Sequence, residues 1–267
     1  MRSLAPYQFS LWLAEHINKR RQLCGFYPSV SPIKTQTTNT VLAENLQRIT
    51  PKGSLLCANC HDDIAWLPKP FRVDIGSIDT LIIQVATYYD YPIREAIRAF
   101  KHSEDMTKLP LLVHVLRQIP RPNSCHAGNS VIVAMPTTNS RLIKRGFDPV
   151  TILSAYLSKH WQIPLWQGVE RNDDTLSQQG LTRSERLTNL NNAFVMTQPP
   201  PVKRLLLFDD VATTGASLQA LAAAFYPNVS TPLSDRNIIS VNSTTTTSSK
   251  PYQILGFALA HGSQSRQ

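Results

Sequence analysis

The sequence predicts an α/β fold with a parallel sheet, and three observations carry that prediction. Short, continuously apolar runs such as "SVIVAMP" and "KRLLLFDD" read as strands covered on both faces, the habit of parallel sheets. Segments of helical period alternate with them, as βαβ units require. The 267 residues, 42% of them hydrophobic, suffice for one medium domain or for one domain with a small appendage.

The elements follow in order along residues 79–226. "DTLIIQVATYY" (79–89) reads as one or two strands. In "PIREAIRAFKH" (92–102), Pro92 suits a first helical turn, and Ile93, Ile97 and Phe100 share one face. "LPLLVHVLRQI" (109–119) reads as a second amphipathic helix. "SVIVAMP" (130–136) is a short strand ended by proline. "FDPVTILSAYLSKHW" (147–161) turns helical at Pro149. "KRLLLFDD" (203–210) is a further buried strand and "ASLQALAAAF" (216–225) a helix. The closing "YQILGFALAH" reads as a last strand returning to the sheet.

The flanking regions differ in texture. Residues 1–75 hold three of the four cysteines and a Thr/Asn-rich stretch, and are expected to form an N-terminal module. Residues 76–267 hold the α/β domain, with a Ser/Thr-rich segment at 227–250 whose composition supplies no packed core and predicts a mobile loop. No internal repeat is visible. No apolar run approaches the roughly 20 residues needed to span a bilayer, so membrane insertion is not expected. Pro6, Gln8 and Ser10 interrupt the apolar core that a signal peptide needs. A cytoplasmic location is therefore expected, where cysteines serve as metal ligands or free thiols rather than disulfides.

Net charge is +9 and the pI about 9.6. That surplus fits an anionic partner, whether nucleotide, phosphorylated metabolite or nucleic acid; it equally fits a generally basic surface, because pI does not localise charge.

The most informative stretch is "LLLFDDVATTGAS" (205–217). Ligands of open α/β sheets bind at the carboxyl ends of strands, and Asp209 and Asp210 are expected at such an end. The turn through Thr213, Thr214, Gly215, Ala216 and Ser217 bares backbone amides at a helix start, the makings of a phosphate cradle. The acids repel phosphate but accept hydrogen bonds from sugar hydroxyls. The segment thus fits a ribose 5-phosphate. A helix cap on Asp210 or Thr213 accounts for one acid or one hydroxyl, and leaves the second of each unexplained.

This segment resembles the 5-phosphoribosyl 1-pyrophosphate (PRPP) motif of type I phosphoribosyltransferases. Three more segments narrow the resemblance to the ComF family, phosphoribosyltransferase-like proteins tied to bacterial DNA uptake. They are "YDYPIREAIRAFKH", "AMPTTNSRLIKRGFD" and "QQGLTRSERLTNLNNAF", the last through Gln178, Leu181, Arg186, Asn189 and Phe194. The resemblance covers roughly residues 80–226 and the cysteine region. It implies a type I phosphoribosyltransferase-like sheet behind a small zinc-binding module, ribose contacts from Asp209 and Asp210, and phosphate contacts from Thr213 to Ser217. The implied activity is displacement of pyrophosphate from the anomeric carbon by a nitrogen acceptor, with magnesium held mainly by ligand oxygens. No acceptor is legible, and no residue is marked as general base; Glu185 and His102 read as surface residues.

Arg141, Lys144 and Arg145 are the cationic candidates for pyrophosphate, with Lys101 a weaker one. Each also fits a solvated basic turn. Arg183 and Arg186 either close over the substrate or sit on a helix face. Cys57-Ala-Asn-Cys60 has the spacing of a zinc-holding pair. The family's upstream pair is represented by Cys24-Gly-Phe-Tyr27, with tyrosine in place of the fourth thiolate, and His61 is a substitute ligand. Three thiolates with one imidazole, three ligands with water, and a site without metal all remain open. Cys125 has no partner in sequence and reads as a free thiol.

Two functional classes compete. One is a PRPP-binding phosphoribosyltransferase acting on an unidentified acceptor. The other is a non-catalytic single-stranded-DNA-binding accessory of the competence machinery, which requires a basic surface with exposed aromatics. A third is a PRPP-sensing regulator that has lost activity. Oligomeric state is not legible.

Overall fold

The computed structural model describes residue 56 and residues 58–75, 79–172, 193–226 and 251–262. In chain order these hold α1 (Ala58–Asp62), β1 (Phe71–Ile75), β2 (Asp79–Tyr88), α2 (Ile93–His102), a 3-10 turn (Met106–Lys108), α3 (Leu109–Leu116), β3 (Ser130–Ala134), α4 (Asn139–Arg145), α5 (Pro149–Trp161), β4 (Val169–Arg171), β5 (Phe194–Met196), β6 (Arg204–Ala212), α6 (Ala216–Ala223) and β7 (Gln253–His261). The Ser/Thr-rich segment 227–250 lies outside the described residues.

Five strands form one sheet in the order β1-β2-β7-β6-β3. β1 runs antiparallel to β2, and every other pairing is parallel. The expected α/β architecture is therefore present, with one antiparallel edge strand added. The C-terminal strand β7 occupies the middle of the sheet, between β2 and β6. Its run from Phe257 to Ala260 is buried throughout, as a strand covered on both faces demands.

Helices flank this sheet. α5 packs on β3 and β6, with α3 beside it. Trp161, at the end of α5, meets Phe257 of β7 edge to face at 5.0 Å and donates its Nε1 proton to the Ile119 carbonyl. The strand–turn–helix order of each unit brings the carboxyl ends of β3 and β6 side by side, with Ala134 opposite Phe208. Whatever follows those two strands therefore shares one edge of the sheet.

Two helices differ from their sequence patterns. α3 is buried nearly all round, with only His114 among its eight residues outside the core, so it is a core helix rather than an amphipathic one. The basic turn at 141–145 is a helix, α4. Thr138 caps it by accepting from the Arg141 amide, and Gly146 closes it in the left-handed region at φ 71°.

Candidate functional site

β6 is buried from Leu205 through Asp210. Its apolar residues fix the strand in the core, and that placement carries two carboxylates inward. Asp209 is 9% exposed and Asp210 4%. The strand continues past them to Ala212, so the acids sit just inside its carboxyl end. Asp209 accepts a hydrogen bond from the Asp210 amide at 2.8 Å.

Burial, reinforced by the neighbouring Asp210 charge, pushes the Asp209 carboxyl up from 3.8 to about 8. The Asp210 amide and the Lys101 ammonium pull the other way without cancelling it. Lys101 reaches from the last turn of α2 and sets its Nζ 2.6 Å from Asp210 Oδ2. That distance makes an ion pair, while its angles do not make an aligned hydrogen bond.

Beyond Ala212 the chain turns. Gly215 stands at φ 77°, and a Cβ there would come within 2.7 Å of Ile83, 3.0 Å of Val73 and 3.2 Å of Phe71. Only glycine meets both conditions. Gly262 presses against Thr213 from the end of β7 in the same way. α6 then begins, its Gln219 amide donating to the Gly215 carbonyl. The amides of Ala216, Ser217 and Leu218 precede that bond, as first-turn amides do. They border a niche of about 50 Å³ together with Thr213, Thr214 and Gly215.

A second cavity, of about 260 Å³, shares the niche's Asp209, Thr213 and Ser217 walls. Lys101, Arg141 and Arg145 line the cavity's cationic side. The structure thus brings together the acid pair, the glycine turn and two of the three cationic candidates. Lys144 is exposed on α4 and is not among the cavity's walls.

Arg171 also lines the cavity, and sequence reasoning missed it. It ends the three-residue strand β4, which pairs antiparallel with β5, and its guanidinium lies 5.5 Å from the Phe194 ring centre. Phe194 is 6% exposed and anchors this strand pair. A three-residue strand has too little pattern to be read from sequence. Gln178, Leu181, Arg183, Glu185, Arg186 and Asn189 lie outside the described residues. Asp148 lines the cavity as well and caps α5 through the Val150 amide and the Thr151 hydroxyl.

Of the expected zinc ligands, Cys24 and Cys57 lie outside the described residues, as does Tyr27. Cys60 and His61 stand on α1. The His61 ring packs on Trp66 at 4.8 Å, and its carbonyl accepts from Trp66 Nε1. His114 lies 6.3 Å from the His61 ring, with its Nε2 buried and unpartnered among the described residues. Burial, then His61 and Arg117, hold His114 below the ordinary histidine range. Among the described residues no three His, Cys, Asp or Glu side chains gather to hold a metal. Cys125 is buried and outside any disulfide. No helix of the described residues is long and apolar enough to cross a membrane.

The chain is 32% identical over 143 residues to competence protein F of Haemophilus influenzae, an alignment covering 51% of this chain and 62% of that protein. It is 32% identical over 99 residues to DNA utilization protein YhgH of Escherichia coli K12, covering 36% of this chain and 43% of that protein. The same protein of Salmonella typhi aligns over 99 residues at 32% identity. The chain thus spans about half the length of these relatives. No family model matches it.

Proposed function

Because this chain belongs to the ComF family, we propose that its cavity binds PRPP and that the protein serves the uptake and use of DNA. One observation carries the ligand assignment: the buried acid pair lines a cavity together with Lys101, Arg141 and Arg145, and the glycine turn borders an adjacent niche that shares Asp209, Thr213 and Ser217 with it. The turn and the first amides of α6 take the 5-phosphate. Asp209 and Asp210 accept from the ribose hydroxyls. Arg141 and Arg145 face the pyrophosphate. The relatives' names, competence protein F and DNA utilization protein, support the cellular role.

The reaction suited to this arrangement is transfer of the phosphoribosyl group to a nitrogen acceptor. The anomeric C–O bond breaks with its electron pair leaving on pyrophosphate, a C–N bond forms, and the nitrogen's surplus proton passes to water. The protein's share is to position the ligand and to offset charge on the leaving group. Of the cavity's three carboxyl groups, Asp148 caps α5, Asp209 is held protonated and Asp210 is paired with Lys101. Magnesium therefore fits as an ion held chiefly by the ligand's own oxygens, supplying charge neutralisation to the pyrophosphate. The same reading gives Cys24, Cys57, Cys60 and His61 a structural zinc, on the spacing of the two cysteine segments.

A second reading rests on the exposed groups along and just before α2. Desolvation, then the charges of Arg145, Lys101 and Arg98, holds the pKa of His102 below the ordinary value against the opposing pull of Asp210. Tyr91 is 73% exposed at the start of the same helix. Cations with an exposed aromatic suit single-stranded DNA, which this surface binds without chemistry.

Calorimetric titration with PRPP, with and without magnesium, tests the first reading. Saturable, magnesium-enhanced binding is expected. In the double variant Asp209→Asn/Asp210→Asn, affinity falls by roughly 100-fold, the loss of one charge-assisted contact at Asp210 and one neutral hydrogen bond at Asp209. Lys101, 23% exposed, then turns to solvent and the fold persists. Unchanged affinity sinks the ribose assignment. Salt-sensitive binding to single-stranded DNA, with no response to PRPP, favours the second reading.

A further inference from the structure

The Lys101–Asp210 pair bears on which ligand the cavity accepts. Lys101 enters from α2, whereas Asp210 belongs to the sheet, and the ammonium lies 2.6 Å from the carboxylate oxygen Oδ2. The Asp210 side chain is 5% exposed and that of Lys101 23%. The carboxylate is thus locked in place, while the ammonium keeps a route toward solvent and cavity. Lys101 also lines the cavity beside Arg145 and Arg141.

A sugar hydroxyl approaching Asp210 meets this ammonium first. A buried carboxylate stripped of its counter-charge is costly, so a ligand bringing only hydroxyls gains little by displacing Lys101. A ligand with a second anionic group on the anomeric carbon offers the ammonium a new partner on the cationic side. The exchange then gives the ammonium a new anionic partner, while Asp210 is left to accept from the ribose hydroxyls.

Building on the reading of this cavity as a PRPP site, we infer that Lys101 is a movable counter-ion of Asp210 that makes the cavity select sugar phosphates carrying a second anionic group at the anomeric carbon. It is a specificity-determining residue, and the discrimination it enforces is PRPP over ribose 5-phosphate. The specificity arises as a difference between two ligands, not as a uniform gain in affinity.

The test compares both ligands, with magnesium, on the wild-type protein and on Lys101→Met and Lys101→Arg. The wild type prefers PRPP. In Lys101→Met the preference falls by roughly tenfold, the worth of one charge-assisted contact, because PRPP weakens while ribose 5-phosphate binds as well as before or better. Lys101→Arg restores part of the preference. Parallel weakening of both ligands, or an unchanged preference, overturns the inference by making Lys101 a structural counter-ion only. Should Lys101→Met fail to fold, the wild type decides the matter through NMR of its labelled lysine side chains. The Lys101 ammonium resonance moves with PRPP and stays with ribose 5-phosphate; equal movement with both, or none with either while PRPP binds, overturns the proposal. A wild type that binds neither ligand overturns the PRPP reading itself, a result distinct from PRPP binding that ignores Lys101.

Discussion

The two ends of the cavity are built on opposite principles. At the turn end, Gly215 and Gly262 have no room for a Cβ, and the acids beside them sit 9% and 4% exposed. At the cationic end, α4 buries none of its seven residues, and Ile143 is 84% exposed. Close packing leaves one end a single arrangement. The other end is tethered mainly by its caps, Thr138 and Gly146. The contrast teaches that a rigid end fixes where a ligand's phosphate lies, while an adjustable end answers to what the ligand carries beyond its sugar.

The sharpest way to expose the rigid end is through pH. Asp209 keeps its proton in the folded protein up to about 8, against an ordinary value of 3.8. The unfolded chain loses that proton near the ordinary value, so folding takes up a proton across the interval. The contribution of Asp209 to stability is fully present below pH 4 and is lost as pH rises through 8. Between pH 5 and 8 the slope approaches, at most, about 1.4 kcal/mol per pH unit. Asp209→Asn removes the ionisation and flattens this dependence. Denaturant melts of both proteins at several pH values check it, and equal slopes refute the buried, raised carboxyl.

The next effect breaks the rigid end directly. Gly215→Ala places a methyl against Ile83, Val73 and Phe71 and asks alanine to hold φ 77°. The left-handed conformation alone costs about 1–2 kcal/mol. The melting midpoint falls, and PRPP affinity falls further than stability requires, because the turn amides shift off the phosphate. A variant with wild-type melting and wild-type affinity would show that this turn tolerates more freedom than its packing implies.

How much of this contrast was legible in the sequence follows from the same physics. β3, β6, α5 and the glycine turn announce themselves through local signals: apolar runs, a proline at a first turn, glycine and threonine after two acids. The central place of β7 did not, because strand order depends on pairing between distant segments. α4 was read as a turn because its pattern lacks a buried face. Its signals were the caps alone, Thr138 and Gly146. The Lys101–Asp210 pair joins residues far apart in sequence, and Arg171 stands on a strand of three residues. Contacts made across the fold carry no local signature.

The smallest effect separates cations within the adjustable end. Arg145 lines the cavity, and Lys144, its neighbour on the same helix turn, is not among its walls. Arg145→Gln removes one charge-assisted contact to the pyrophosphate and lowers PRPP affinity by roughly tenfold. Lys144→Gln removes an equal charge at nearly equal distance along the chain, but only the screened field remains to be lost, an effect of about twofold or less at physiological salt. Titrations of both variants in the same buffer read the difference. Equal losses would mean that the cationic end acts through its net charge, without a defined contact. A loss confined to Arg145 means that α4, for all its exposure, presents chosen side chains to the ligand, Arg145 among them and Lys144 not.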